Sequence, residues 1–290
     1  MNVLVISISA PPKNGAESIQ VLRYLKYLGT KASIEVVSTK VEKRGWETAD
    51  KSMEIPEDIN FQRVKLHKNF IFKKISEKLT NNNYPDTFFK FHTKANKIKK
   101  NLTTKPDIIY SRAAPDSSSV LGFKLKKALN IPWVMHLSDP WVDNPYKTYS
   151  PSELEYNKKM EKKCFEAADK ISLTSKLTMD FYVKKYPQYE DKFLLFPNVF
   201  DEENISEKKQ LNFNRKLKIA HTGNFYGKRN PKFLLDVLVK LNKKNLLENI
   251  EFTFAGNIDE NSSELIKKAN LNQVRYIGNL SSSESLELQK

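Results

Sequence analysis

Two adjacent cations, Lys228 and Arg229, lie in the stretch HTGNFYGKRNP, residues 221–231, directly after the apolar run 217–220. A strand there runs into a glycine, an aromatic pair, a second glycine, the two cations and a proline. This is close to the phosphate-cradling loop G-x-x-x-x-G-K-[ST]. Two details exclude that loop. Three residues, not four, separate Gly223 from Gly227, and Arg229 follows Lys228, so no hydroxyl is supplied for Mg²⁺. What remains is a strand, a glycine turn and a helix, with Asn230 expected at the N-cap and Pro231 at the first helical position. Lys228 and Arg229 then stand just before a helix N-terminus. Free N–H groups, the helix dipole and two cations together suit a diphosphate. A solvated basic turn would show the same residues.

IPWVMHLSDPW, residues 131–141, carries the next candidates. The period of a strand puts His136 and Ser138 on one face, with Asp139 at its carboxyl end and Pro140 stopping it. His136 and Asp139 are the candidate catalytic pair. A hydrogen-bonded core histidine and a turn aspartate are the plain alternatives, and Trp141 could stack on a sugar or plug the core. PPKNG, residues 11–15, joins the first strand to the first helix, and Gly15 would let a ligand approach the helix N-terminus. It does not fit G-x-G-x-x-G, so no NAD site is expected. In FTFAGN, residues 252–257, Gly256 repeats the logic at the next strand end. No Ser-His-Asp order is defensible. Four histidines and one cysteine, widely spaced, make a metal centre unexpected.

These residues need a scaffold of alternating strands and helices, and the hydrophobic periodicity supplies one nearly throughout. Strands are expected over 2–8, 33–38, 60–67, 107–110, 132–137, 171–174, 193–196, 217–221, 250–255 and 274–277. Helices are expected over 16–29, 85–101, 116–129, 152–168, 177–186, 231–243 and 263–270, and a last one opens in 281–290. Ser152 and Glu155 read as a capping box for the helix over 152–168. Residues 68–84 read as a mobile, Lys- and Asn-rich surface excursion. Residues 201–215 are polar and aperiodic, the best interdomain linker. The expected fold class is therefore α/β, with two Rossmann-type parallel-sheet domains over 1–200 and 216–290 facing a cleft. The second, about 75 residues with three strands, is short for a doubly wound domain.

The chain has 290 residues, 39% hydrophobic and 29% charged, a composition of globular rather than disordered protein. No run approaches a membrane span. The N-terminus has no basic segment before its apolar one and reads as a strand, not a signal peptide. Its single cysteine, Cys164, fits a reducing cytoplasm. The net charge is +15, from 49 Lys and Arg against 34 Asp and Glu. Solvated faces and a peripheral attachment to anionic lipid are the two readings of that excess. No nucleic-acid partner is expected, because the cations are scattered and no zinc-finger or RNP-like motif occurs.

Taken in order, PPKNGAESIQVLRY, IPWVMHLSDPW, EKKCFEAADKISLTSK, FPNVFD, HTGNFYGKRNP and VRYIGNLS resemble the GT-B glycosyltransferases, specifically retaining family 4, from residue 1 to the end. The resemblance implies an acceptor-binding N-terminal domain and a C-terminal domain binding a nucleotide-diphosphate sugar. The implied reaction transfers that sugar, with retention, to a saccharide or lipid-linked cell-envelope acceptor. It implies Gly15 near the donor phosphates or the acceptor and Lys228 and Arg229 on the donor diphosphate; Gly223 and Gly256 join them as donor-site candidates from their places after strands. It implies no cofactor and no metal requirement. Two departures stand out. Many members have histidine where Ser138 precedes Asp139. The family's E-x₇-E region should follow residues 274–277, and Glu284 and Glu287 have the wrong spacing for it, so the chain is expected to be C-terminally truncated. A GT-B-fold sugar-nucleotide epimerase and a non-catalytic binding module are the alternatives.

Overall fold

A computed structural model describes residues 1–41, 48–66, 84–201 and 216–290. The chain divides into two units, Met1–Phe200 and Asp201–Lys290. The first is built on β1 (Asn2–Ile6), α1 (Ala16–Gly29), β2 (Ser33–Thr39), β3 (Asn60–Val64), a 3₁₀ turn (His92–Lys94) and α2 (Ala95–Lys100). There follow β4 (Ile108–Ala113), α3 (Ser117–Leu129), β5 (Trp133–Leu137), α4 (Pro151–Ala167), β6 (Lys170–Leu173), α5 (Lys176–Lys185) and β7 (Phe193–Leu195). All seven strands run parallel in the order β3-β2-β1-β4-β5-β6-β7. Both faces of the sheet are covered, which is why β1 is apolar at consecutive positions. Val3 and Val5 belong to a core with Val21 and Leu25 of α1. Leu4 and Ile6 belong to another with Val120 and Leu121 of α3 and Phe165 of α4. The order reverses at β1, which pairs with β2 on one side and β4 on the other. That reversal opens a crevice at the carboxyl ends of β1 and β4, where ligands bind in sheets of this kind.

The second unit holds β8 (Leu217–Thr222), α6 (Lys232–Asn242), β9 (Ile250–Ala255), α7 (Glu260–Ala269), β10 (Val274–Tyr276) and α8 (Ser282–Gln289). Its parallel sheet has the order β10-β9-β8. Phe252 and Phe254 of β9 are buried with Leu238 and Leu235 of α6, respectively. The opposite sheet face carries Glu251, ion-paired to Lys216 and Arg275.

β1 and β3 end earlier than expected, at Ile6 and Val64, and four other expectations change. Residues 85–101 are helical only from His92, because Asp86 is tied down: its carboxylate accepts from Ser117 N and Oγ and from Phe88 N. The capping box of α4 is Ser150 with Glu153, two residues before the expected pair, because Pro151 takes the first helical position. α7 starts earlier than expected, where Asp259 caps Ser262 N at 2.9 Å. β4 runs to Ala113 rather than ending at residue 110, which brings Arg112 into the sheet. Apart from residues 84 and 201, the expected surface excursion and linker lie outside the described residues.

Candidate functional site

At the crevice between β1 and β4, the loop 11–15 leads into α1. Lys13 is buried and its ammonium donates to Thr39 Oγ1 at 2.6 Å, so it does not reach outward. Asn14 N donates to the Thr48 carbonyl and Asp50 N to that of Pro12, which pins the loop. Gly15 then stands exposed at the N-cap of α1, and a Cβ there would meet nothing within 4 Å. The helix N-terminus is open at this point.

Beside it Glu17, Arg112 and Ser138 form one polar cluster. The Arg112 side chain is fully buried, and its Nε lies 2.6 Å from Glu17 Oε1. Ser138 Oγ donates to Glu17 Oε2 at 2.7 Å. Tyr24 covers the guanidinium at 4.6 Å, and the Tyr110 hydroxyl lies 3.4 Å from Nη1. Burial by itself would lower the Arg112 pKa; Tyr110 and Glu17 outweigh it and hold the guanidinium above its usual value. Three elements supply this cluster: the first turn of α1, the end of β4 and the end of β5. The arrangement fixes a charged pair beneath an open helix N-terminus.

His136 is next in the same row, since Arg112 pairs with His136 and His136 with Ser172 across the sheet. The side-chain alternation expected for His136 and Ser138 holds, but His136 is fully buried. Nδ1 lies 2.9 Å from Ser172 Oγ, Nε2 has no partner among the described residues, and Tyr24, Tyr110 and Phe196 surround the ring. Burial, helped by Arg112, pushes its pKa down to about 2. The ring expected to face the crevice is thus buried beside it, among the side chains that form its floor. Asp139 differs. It is exposed just past β5, and its carboxylate has no hydrogen-bond partner among the described residues. Trp141 plugs the core, donating from Nε1 to Asn157 Oδ1 at 2.8 Å.

In the second unit the residues 226–229 close a tight turn. Tyr226 N donates to the Arg229 carbonyl at 2.8 Å, and Arg229 N to that of Tyr226 at 3.0 Å. Gly227 sits at φ 55°, the left-handed region that glycine adopts without strain. Its N–H donates to Asp259 Oδ2 at 2.8 Å, so one carboxylate holds the turn and caps α7. Lys228 and Arg229 are both exposed at the tip. Arg229 lies 5.7 Å from the Tyr226 ring, and Lys228 has no carboxylate partner among the described residues. Helix α6 begins at Lys232 with Pro231, not Asn230, in the N-cap position. Asn230 still serves the helix end, since its Oδ1 accepts from Lys232 N at 3.1 Å.

Gly223 is exposed at the end of β8, where a Cβ would touch His221 Nε2 at 3.4 Å. Gly256 follows β9 at φ 133°, and a Cβ there would fall on the Gly223 carbonyl oxygen. This glycine lets the loops after β8 and β9 touch. Glu284 is spent on capping Ser281 at the start of α8. Among the described residues no group of three or more His, Cys, Asp and Glu is placed to hold a metal ion.

Of the residues expected at the site, Gly15 is exposed at the N-cap of α1, Asp139 and Gly223 just past β5 and β8, and Lys228 and Arg229 on the turn before α6. Sequence reading missed three others, Glu17, Arg112 and Tyr24. The available signal was a charged arginine in an otherwise apolar strand, the situation that demands a buried partner.

No protein-family model matches the chain, and no curated protein matches it. Solved structures do. HepE from Anabaena, in complex with UDP and glucose, matches 99% of the chain over 71% of its own length, with TM-score 0.61 and 12% identity. Sucrose-phosphate synthase from Thermosynechococcus elongatus matches 99% over 72%, with TM-score 0.64 and 14% identity. The lipopolysaccharide outer core galactosyltransferase WaaB, in its apo form, matches 100% over 71%, with TM-score 0.56 and 14% identity. These neighbours are GT-B glycosyltransferases. At such identities the likeness is one of fold, and the fold of this chain is GT-B-like.

Proposed function

We propose that this protein is a glycosyltransferase of the retaining family-4 type. It moves a sugar from a nucleotide-diphosphate sugar to a saccharide or lipid-linked acceptor of the cell envelope. The observation that carries the reading is the match of nearly the whole chain to a fold that, in HepE, holds UDP and glucose. The second unit binds the donor: Lys228 and Arg229, on the turn ahead of α6, neutralise the leaving diphosphate, and Gly223 gives the nucleotide room at the end of β8. The leaving charge is stabilised electrostatically, with no metal or other cofactor required. The first unit binds the acceptor at the open N-terminus of α1, with Gly15 at the entrance. Asp139 is the carboxylate that substrate can reach. Arg112, Glu17 and His136 hold the strand ends in place beneath it. The basic surface suits work at the inner face of a cell membrane, on the cytoplasmic side.

Titration calorimetry with UDP and GDP tests the donor assignment. One of the two binds, and Arg229→Ala weakens it at least tenfold, the loss of a charge-assisted contact worth roughly 1.5–3 kcal/mol. Binding unchanged in Arg229→Ala removes the turn from the site. No nucleotide binding by a folded chain would favour a non-catalytic binding module. Recovery of an isomerised sugar after incubation with donor alone would favour an epimerase.

A further inference from the structure

On the first unit, an open cavity of about 290 Å³ lies between α3 and the 3₁₀ turn with α2, and none of the motifs above contributes to it. His92, Thr93, Asn96, Phe123, Lys124 and Lys127 line it. Their hydrogen-bonding capacity is one-sided. His92 Nε2 lies 3.3 Å from the Tyr84 carbonyl oxygen, so it carries the proton. His92 Nδ1 therefore accepts, and Lys124 Nζ donates to it at 3.1 Å. Two of the three Lys124 N–H donors remain, and no described carboxylate pairs with them. Lys127 lies 4.6 Å from the Phe123 ring and also has no described carboxylate. The Asn96 amide has no described partner, and Thr93 Oγ1 already donates to the Lys90 carbonyl. The walls thus present spare N–H donors from three side chains and, among the described residues, no carboxylate.

Burial already works against the positive charge here. It lowers the Lys124 pKa, and with the Lys124 charge it pushes His92 down to about 4. An anion in the cavity would relieve that. We propose that this cavity binds a phosphate group, held by Lys124, Lys127 and Asn96. Donors converging from two helices match an acceptor with several oxygens spread about one centre, and paired cations are the usual phosphate ligands. The volume is at the lower bound of small-molecule sites, about 300 Å³, which accommodates one phosphate-bearing group rather than a whole sugar nucleotide. That group belongs either to a free phosphorylated molecule or to a lipid headgroup.

Calorimetric titration of the full chain with inorganic phosphate tests the free form, in an Arg229→Ala background that weakens the donor turn. Co-sedimentation with phosphatidic acid vesicles, against phosphatidylcholine, tests the headgroup form. Lys124→Gln with Lys127→Gln weakens binding roughly tenfold in whichever arm shows it. Asn96→Asp, at an exposed position that leaves the core untouched, does the same by repulsion. Lys240→Gln with Lys243→Gln, in the second unit, removes the same charge, leaves phosphate binding unchanged and weakens vesicle binding less than the cavity variants do; an equal weakening overturns the headgroup form. Phosphate binding lost in the cavity variants assigns the free form, and vesicle binding alone lost assigns the headgroup. Cavity variants that bind like the wild type in both arms, or a wild type that binds in neither, overturn the proposal.

Discussion

Arg112 shows what a single residue can demand of a fold. A fully buried guanidinium is tolerable only with a partner, and Glu17 supplies it from a position 95 residues away. Breaking such a pair leaves a charge buried alone. Glu17→Gln should therefore cost about 2–4 kcal/mol in urea unfolding, and Glu17→Gln with Arg112→Met should recover part of that. A double variant no more stable than the single one would show that the pair is not a coupled unit. His136 makes a second prediction, on pH. Its folded pKa of about 2 lies below the unfolded value near 6.5. As pH falls through 6.5 the unfolded chain takes up a proton that the folded one refuses. Stability is full above that pH and declines below it, by up to about 1.4 kcal/mol per pH unit. His92, pushed to about 4, acts in the same direction. His136→Gln should shrink the loss of urea stability between pH 7 and pH 5 without abolishing it. An equal loss in wild type and variant would rule His136 out.

At the scale of elements, helix ends decide the geometry. Two serines could start α4, and both are followed three residues later by glutamate. Proline at residue 151 chooses Ser150, whose Oγ accepts from Glu153 N while Glu153 accepts from Ser150 N at 2.8 Å. Ser150→Ala should lower stability by about 1 kcal/mol, and Ser152→Ala should stay within about 0.5. Thermal melts that rank them in reverse would move the cap. In the second unit Asp259 does two tasks, capping α7 and holding Gly227 N. The turn carrying Lys228 and Arg229 is thereby tied to the next helix, which limits how far its cations can wander.

The whole molecule carries a net charge of +15 and, among its described residues, no helix long and apolar enough to cross a membrane. In the proposed function that charge serves reversible attachment through anionic lipid headgroups. Co-sedimentation with phosphatidylglycerol vesicles should exceed that with phosphatidylcholine and should fall as salt is raised. Equal binding to both vesicles would remove the membrane from the proposed function. The two units also differ in how well their sheets are enclosed. β1 is paired on both sides and buried at four of its five positions, whereas the equivalent β8 is an edge strand with no buried residue.

The α/β class and the order of elements were legible in the sequence. Periodicity is a local property: apolar spacing of two or 3.6 residues reports which face a segment must bury, whatever it meets. The placing of Gly15, Asp139 and Lys228 in the connections that follow strands came from the same local pattern. What each of these residues touches was decided by tertiary structure alone. His136 looked like Asp139 in sequence, two polar residues near one strand end. Only the packing of Tyr24 from α1 and Phe196 from the end of β7 closes over the first and leaves the second open. Gly256 reads in the sequence as one more strand-end glycine, and only the fold brings the Gly223 carbonyl to where its Cβ would be. The Glu17–Arg112 pair spans 95 residues, and no spacing rule operates over that distance. Burial, partners and charge compensation are sums over neighbours from several elements, and they exist only once the sheet has brought those elements together.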